Sequence, residues 1–363
     1  MIGMVVHLVI LLVLVLSTDS LARRSYITPE QKTQLARIQT ILVSVLALSE
    51  KGLAPSDHIL GVVQRRFEEL GFRVVTDAAQ LHDVEFHVLC EERKRQQGVT
   101  RYGGDAELTD TPDRLWNGPA CQLSYRLEGK DLGWYKEAHP SIEDVPLIAR
   151  ETQASDAETS AFEQLTRELD RLDFPVMLLS EWGHTHRLVD LLTDPETPQA
   201  RQRLILDLFR QFPTSEALPH LLTLIQQGRY SEQAIGALSG LGHEVVPHLL
   251  QLFANKDREV PIRAAAAKGL GRILRADGDP DVMAILLEYL GNAVSRITSS
   301  TDIEFPVLTE VVWAVGSIHH ELTFQLIGSL QNKIWLIHDT SSDLKTLREV
   351  VSVVYKYMDF NQI

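Results

Sequence analysis

The sequence predicts an α+β chain in two parts: a small N-terminal α/β sandwich, then an all-α stack of helix hairpins. Three observations carry this expectation. Short apolar runs at 41–48 and 72–76 flank a helix-spaced segment, the pattern of a β-α-β unit. Two further alternating runs end and begin on the only two cysteines. From about His186 onward, helix-spaced segments of two types alternate to the end of the chain.

The chain begins with an apolar run from Met4 to Leu16, 13 residues long, where a membrane-spanning helix needs about 20. Ser20-Leu21-Ala22 follows with small residues at the positions a signal peptidase reads, so residues 1–22 read as a signal peptide cleaved before Arg23. No Lys or Arg precedes the apolar run, and an uncleaved N-terminal anchor is the alternative, which would make the membrane a partner. The rest is globular in composition, at 44% hydrophobic and 23% charged. A net charge of −14 opposes nucleic-acid binding and a polybasic membrane-surface role.

Within 23–138, residues 23–38 form a polar lead-in with some helix. Ile41 to Leu48 is apolar on both faces, which suits a central strand of a covered sheet. Ser56 is placed to cap a helix carrying Ile59, Val63, Phe67 and Leu70, and Gly71 to end it. Phe72 to Thr76 returns as a strand. Val84, Phe86, Val88 and Cys90 then alternate with polar neighbours, as do Cys121, Leu123, Tyr125 and Leu127. Cys90 closes the first run and Cys121 opens the second, so an antiparallel pairing brings them together as a Cys90–Cys121 disulfide in an oxidising compartment; two buried thiols are the alternative. The long polar segment between them reads as a functional or mobile loop. Glu128 to Asp131 reads as a hairpin turn leading into Leu132-Gly133-Trp134-Tyr135. This part looks generically like the small α/β domains of bacterial envelope proteins, with no motif at residue level.

Residues 139–185 read as a linker with Pro140 and Pro146, a helix over 156–172 that Ser155 is placed to cap, and an apolar piece from Phe174 to Trp182 expected to cap the repeats. In 186–363 the first helix of each pair falls at Arg187–Leu192, Leu218–Gln226, Val245–Phe253, Asp281–Leu290 and Leu322–Leu330. The second falls at Ala200–Phe212, Tyr230–Leu241, Ile262–Leu274, Val307–Ile318 and Leu344–Met358. Pro219-His220-Leu221-Leu222 recurs 28 residues later as Pro247-His248-Leu249-Leu250. Val260-Pro261-Ile262-Arg263, four alanines, Lys268 and Gly269-Leu270-Gly271 complete the pattern. These segments resemble the HEAT repeat family in its short bacterial form, over about half the chain. The resemblance implies a solenoid whose alanines let helices approach and whose leucines fill the seams. Polar inserts at Ser295–Asp302 and His338–Asp343 are expected as loops on one edge.

The sequence offers little chemistry. It contains no nucleophile elbow, phosphate-binding loop or His-Glu-x-x-His motif, so no catalytic residue, cofactor or metal is expected. Glu181, His184 and His186 are metal-ligand types without a fourth ligand at fixed spacing, and read as a joint loop with solvated histidines. His319-His320, and His220 with His248, read as structural. Glu68-Glu69 and Glu91-Glu92 read as solvated carboxylates, and Arg93-Lys94-Arg95 with Arg101 and Tyr102 as a solvated loop. The expectation is a non-catalytic scaffold of the bacterial envelope, periplasmic or secreted, that binds protein partners through a concave solenoid face. The alternatives are an envelope assembly factor anchored by an uncleaved N-terminal helix, or an enzyme or accessory. Some HEAT-repeat proteins are lyases that attach bilin chromophores, an intracellular chemistry that an export signal opposes.

Overall fold

A computed structural model describes residues 27–49, 51–92, 119–132, 136–138, 157–318 and 320–360. The leader at 1–22, the basic run at 93–95 with Arg101 and Tyr102, the segment 133–135, the linker at 139–152, Ser155 and His319 lie outside the described residues. The chain divides into two compact units between His184 and Thr185. No helix among the described residues is long and apolar enough to cross a membrane.

The first unit is a mixed sheet with helices. Its elements run α1 (Pro29–Leu35), β1 (Thr40–Ser49), β2 (Gly52–Leu53), α2 (Asp57–Glu68), β3 (Arg73–Val75), β4 (Val84–Glu91), β5 (Ala120–Leu127), β6 (Lys130–Asp131), β7 (Lys136–Ala138), α3 (Ala157–Arg171) and α4 (Phe174–Trp182). β1 lies between β3 and β4 and is parallel to both, so β1–α2–β3 is the expected crossover unit. β4 and β5 pair antiparallel with Cys90 opposite Cys121, and the two sulfurs are bonded. The strand pattern produces the bridge, because alternation puts both cysteines on the face that carries Phe86 and Tyr125. Closing a loop with a sequence separation of 31 stabilises the unit by roughly 3–4 kcal/mol in the chain-entropy model. The β5–β6 turn uses Glu128 and Gly129, both at positive φ, the conformation that a two-residue hairpin requires.

Helices cover one face of this sheet. Phe67 of α2 meets Phe86 edge-on at 5.0 Å, Phe174 of α4 stacks on Phe86 at 5.5 Å, and Trp182 meets Tyr125 at 5.5 Å. Such pairs add about 0.5–1.5 kcal/mol each beyond their buried area. α3 and α4 therefore complete the sheet's core and belong to the first unit, where the sequence placed them as a cap on the repeats. The other sheet face carries Ser44, Leu46, His87, Leu89, Gln122 and Ser124, and Leu46 is 45% exposed. Apolar residues on both sides of β1 predicted cover on both faces; the described residues supply helices to one. The expected Ser56 side-chain cap is not made, although Ser56 does precede α2.

The second unit is a stack of ten helices: α5 (Thr185–Thr193), α6 (Gln199–Gln211), α7 (Leu218–Gln226), α8 (Ser231–Leu238), α9 (Val246–Ala254), α10 (Val260–Asp277), α11 (Pro280–Arg296), α12 (Phe305–Gly316), α13 (Glu321–Leu336) and α14 (Ser342–Phe360). They pack as five consecutive pairs, the two helices of each pair joined by four to eight residues. The second helices also form a row, α6–α8–α10–α12–α14, each packed on the next. Glycine makes this row close. A Cβ on Gly271 of α10 would lie 2.5 Å from the Ala314 Cβ of α12, and one on Gly316 would overlap Val354 of α14.

A second device recurs along the row. Near the start of a second helix, one long polar side chain turns back to the last carbonyls of its partner helix, which have no intrahelical donor. Gln202 donates to the carbonyls of Leu192 and Asp194, Arg263 to that of Phe253, and Arg348 to those of Ile334 and Ile337. Arg263 is 3% exposed. Its Nη1 donates to Glu304 at 2.6 Å, and Tyr289 donates to the same carboxylate at 3.2 Å. Burial first, and then the Glu304 charge, push the Tyr289 phenol well above its ordinary range.

The expected insert at Ser295–Asp302 is not a loose loop. α11 continues through Arg296, and Asp302 gathers the backbone N–H groups of Thr298 and Ser299 with both hydroxyls. Those donors, led by the Thr298 hydroxyl, hold its carboxyl down at about 2. Lys333 donates to the carbonyls of Ser295 and Ile297. In the second insert Asp339 accepts from the Ser341 backbone N–H and hydroxyl, and its carboxyl is lowered by hydrogen bonds, the Ser300 hydroxyl first.

Candidate functional site

A concavity of about 790 Å³ lies along the row of second helices. Its floor is made of small residues: Gly236 on α8, Ser239 directly after it, and Ala264, Ala265 and Gly269 on α10. The residues that let these helices approach also lower the surface between them. A Cβ on Gly269 would meet the Ser239 Cβ at 3.1 Å. Longer side chains from α6, α8, α10 and α12 stand around that floor.

The rim is charged. It holds four cations, Arg210, Lys268, Arg272 and Arg275, against three carboxylates, Asp207, Glu232 and Glu310. Arg210 pairs with Asp207 at 3.1 Å and Lys268 with Glu310 at 3.6 Å. Arg272 reaches only the Arg210 carbonyl, at 3.5 Å, and among the described residues neither Arg272 nor Arg275 has a carboxylate partner. Such a site can donate hydrogen bonds to a ligand's carboxylates, balance their charge and seat small apolar groups on its floor. It presents no nucleophile–base pair. Lys268, Arg272 and Arg275 follow the i, i+4, i+7 spacing of one helix face.

The predicted polar residues mostly resolve into structure. Glu181 and His184 are not in a solvated loop: α4 runs through Trp182, Gly183 turns at φ +79°, and His184 is fully buried. His184 Nε2 bonds to the Leu35 carbonyl at 2.9 Å, and Glu181 accepts from the Tyr125 hydroxyl at 3.3 Å. His186 starts α5 in the other unit. His220 and His248 occupy matching places, each directly after the proline that opens α7 or α9. Glu69 pairs with Arg65 and Arg66, whereas Glu92 is buried at 8% exposure rather than solvated. Among the described residues, no three His, Cys, Asp or Glu side chains are grouped to hold a metal.

One row on the open sheet face has a serine, an imidazole and a carboxylate in series. Ser44 Oγ is 2.6 Å from His87 Nδ1, and His87 Nε2 is 3.2 Å from Glu85 Oε2. The composition is that of a hydrolytic triad, but the serine faces the nitrogen opposite to the one such triads use. Nearby backbone N–H groups of β1, β4 and β5 lie within paired strands.

No protein-family model matches the chain, and no curated protein matches it either.

Proposed function

We propose that this protein is an exported, non-catalytic scaffold whose helical unit is a HEAT-like solenoid that binds a protein partner along its second helices. The observation that carries the reading is the groove. It is open, floored by small residues, rimmed by Arg272 and Arg275, which have no carboxylate partner among the described residues, and built by the same close helix approach that makes the stack. A surface spread over four successive second helices suits an extended protein segment better than a small molecule, which a deeper and more apolar cavity would enclose. Five packed helix pairs with a continuous row of second helices support the solenoid assignment.

Export rests on the leader-like residues 1–22 and agrees with the Cys90–Cys121 bridge, since such bonds persist in oxidising compartments. N-terminal sequencing of the mature protein is expected to begin at Arg23; a start at Met1 overturns that step and favours the anchored form. The binding reading is tested by cross-linked affinity capture from envelope extract at physiological salt, with peptide mapping of the cross-links. Cross-links on α6, α8, α10 or α12 to a defined protein are expected. Capture of no partner, or cross-links confined to the first unit, overturns it.

A further inference from the structure

We infer that the groove, together with the exposed ridge of α12 and α14 outside it, takes a segment in which acidic residues are followed or preceded by apolar ones, the acidic part lying over α10 and the apolar part over α12 and α14. This rests on the scaffold reading above and names the partner's chemistry.

The argument starts from equivalent positions in the row. Gly271 of α10 touches Ala314 of α12, and Gly316 of α12 touches Val354 of α14. Gly271 and Gly316 are therefore matching contacts onto the next helix, and Lys268 and Trp313, three residues before each, are matching positions. Ala314 and Val354 match in the same way, so Val353 is the α14 counterpart of Trp313. All three stand out from the row: the Lys268 side chain is 72% exposed, Trp313 44% and Val353 54%. Tyr357, one helical turn beyond Val353, is 53% exposed.

The exposed ridge thus changes character along the stack. On α10 it is Lys268, Arg272 and Arg275; on α12 it is Trp313; on α14 it is Val353 and Tyr357. Among the described residues, two of the three α10 cations have no carboxylate partner, in a chain whose net charge is −14. An Arg without a partner can hold a ligand carboxylate with two parallel bonds. Indole and phenol rings beyond it supply the contact area that anchors interfaces. Helices in contact are about 8–10 Å apart, and an extended chain advances about 3.3–3.6 Å per residue. A crossing segment therefore places its apolar anchors about two to three and about four to six residues from its acidic ones.

The test is display panning of a random 12-residue peptide library on the full chain, in parallel with the R272E/R275E and W313A variants. All three substitutions are at exposed positions, and circular dichroism with thermal melts verifies that each variant folds. The expected result is enrichment of peptides with Asp or Glu about two to six residues from Leu, Phe, Tyr or Trp. Their affinity falls about ten-fold or more on R272E/R275E, falls on W313A, and weakens as salt rises. Enrichment of basic or charge-indifferent peptides, no enrichment, or affinity unchanged on R272E/R275E overturns the inference. A native partner cross-linked to the second helices in the same preparation would then leave the scaffold reading standing, while its absence would remove both.

Discussion

Replacing helical glycines by alanine gives effects of opposite sign in different helices, and the structure sets each sign. Gly61 lies in α2, exposed, with nothing within 4 Å of an added Cβ. Gly61→Ala gains only helix propensity and stabilises by about 0.5–1 kcal/mol. Gly271→Ala gains the same propensity but drives its Cβ to 2.5 Å from the Ala314 Cβ and 3.0 Å from the Ala314 Cα. The Cα is backbone and cannot rotate aside, so α10 and α12 must separate. Overpacking costs roughly 1–3 kcal/mol, occasionally more, and the net is a loss of about 1–2 kcal/mol. In a unit of this size that lowers the melting midpoint by roughly 2–8 °C. Gly316→Ala meets the side chain of Val354 rather than backbone. Combining it with Val354→Ala therefore restores space, and the double variant loses less than the sum of the singles. The assay is urea and thermal unfolding followed by circular dichroism, with the two units' transitions resolved. Stability of Gly271→Ala and Gly316→Ala equal to or above the natural chain would refute close packing of the second-helix row.

Three further outcomes are expected. Arg263→Met removes the donor to the Phe253 carbonyl and costs about 2–3 kcal/mol in chemical unfolding, most of it from that orphaned carbonyl because Glu304 can turn to solvent. Asp279 caps α11 by accepting from the backbone N–H groups of Asp281 and Val282, with His243 Nδ1 at 2.7 Å, and the Val282 bond chiefly lowers its carboxyl. Its contribution is complete above the unfolded value near pH ~4 and is lost as pH falls through the lower folded value. Asp279→Ala therefore costs about 1 kcal/mol at neutral pH, and the gap to the natural chain closes in melts carried out progressively further below pH ~4. Cys90→Ala/Cys121→Ala lowers the first unit's stability by roughly 3–4 kcal/mol and leaves the second unit's transition in place; a matched loss in both transitions would contradict the division at His184.

The parts of the fold written in local periodicity could be read in advance. All ten helices of the second unit, β1–α2–β3 and the Cys90–Cys121 pairing follow from spacing along the chain. α7 lies at Leu218–Gln226 as expected. α11 runs six residues past its expected end, because Gly291-Asn292 looks like a stop while Leu326 packs close to Gly291 and the helix carries on. What escaped depends on distant partners. The carbonyl that holds His184 is 149 residues away, at Leu35, and no local pattern marks a buried histidine. The cover over the sheet comes from Phe174 and Trp182, which in sequence look like an extension of the repeats. The groove was hidden for a different reason: Lys268, Arg272 and Arg275 look like any solvated helix face until the small residues of α8 and α10 place a floor beside them.

Site-specific photocrosslinking in living cells tests the central claim most directly. A photoreactive residue at Gln233, in the groove rim, or at Glu288, exposed on α11 outside it, reports which surface meets a partner. Adducts to one defined protein from position 233 and none from 288 are predicted. No adduct from 233, or equal adducts from both positions, would contradict binding along the second helices.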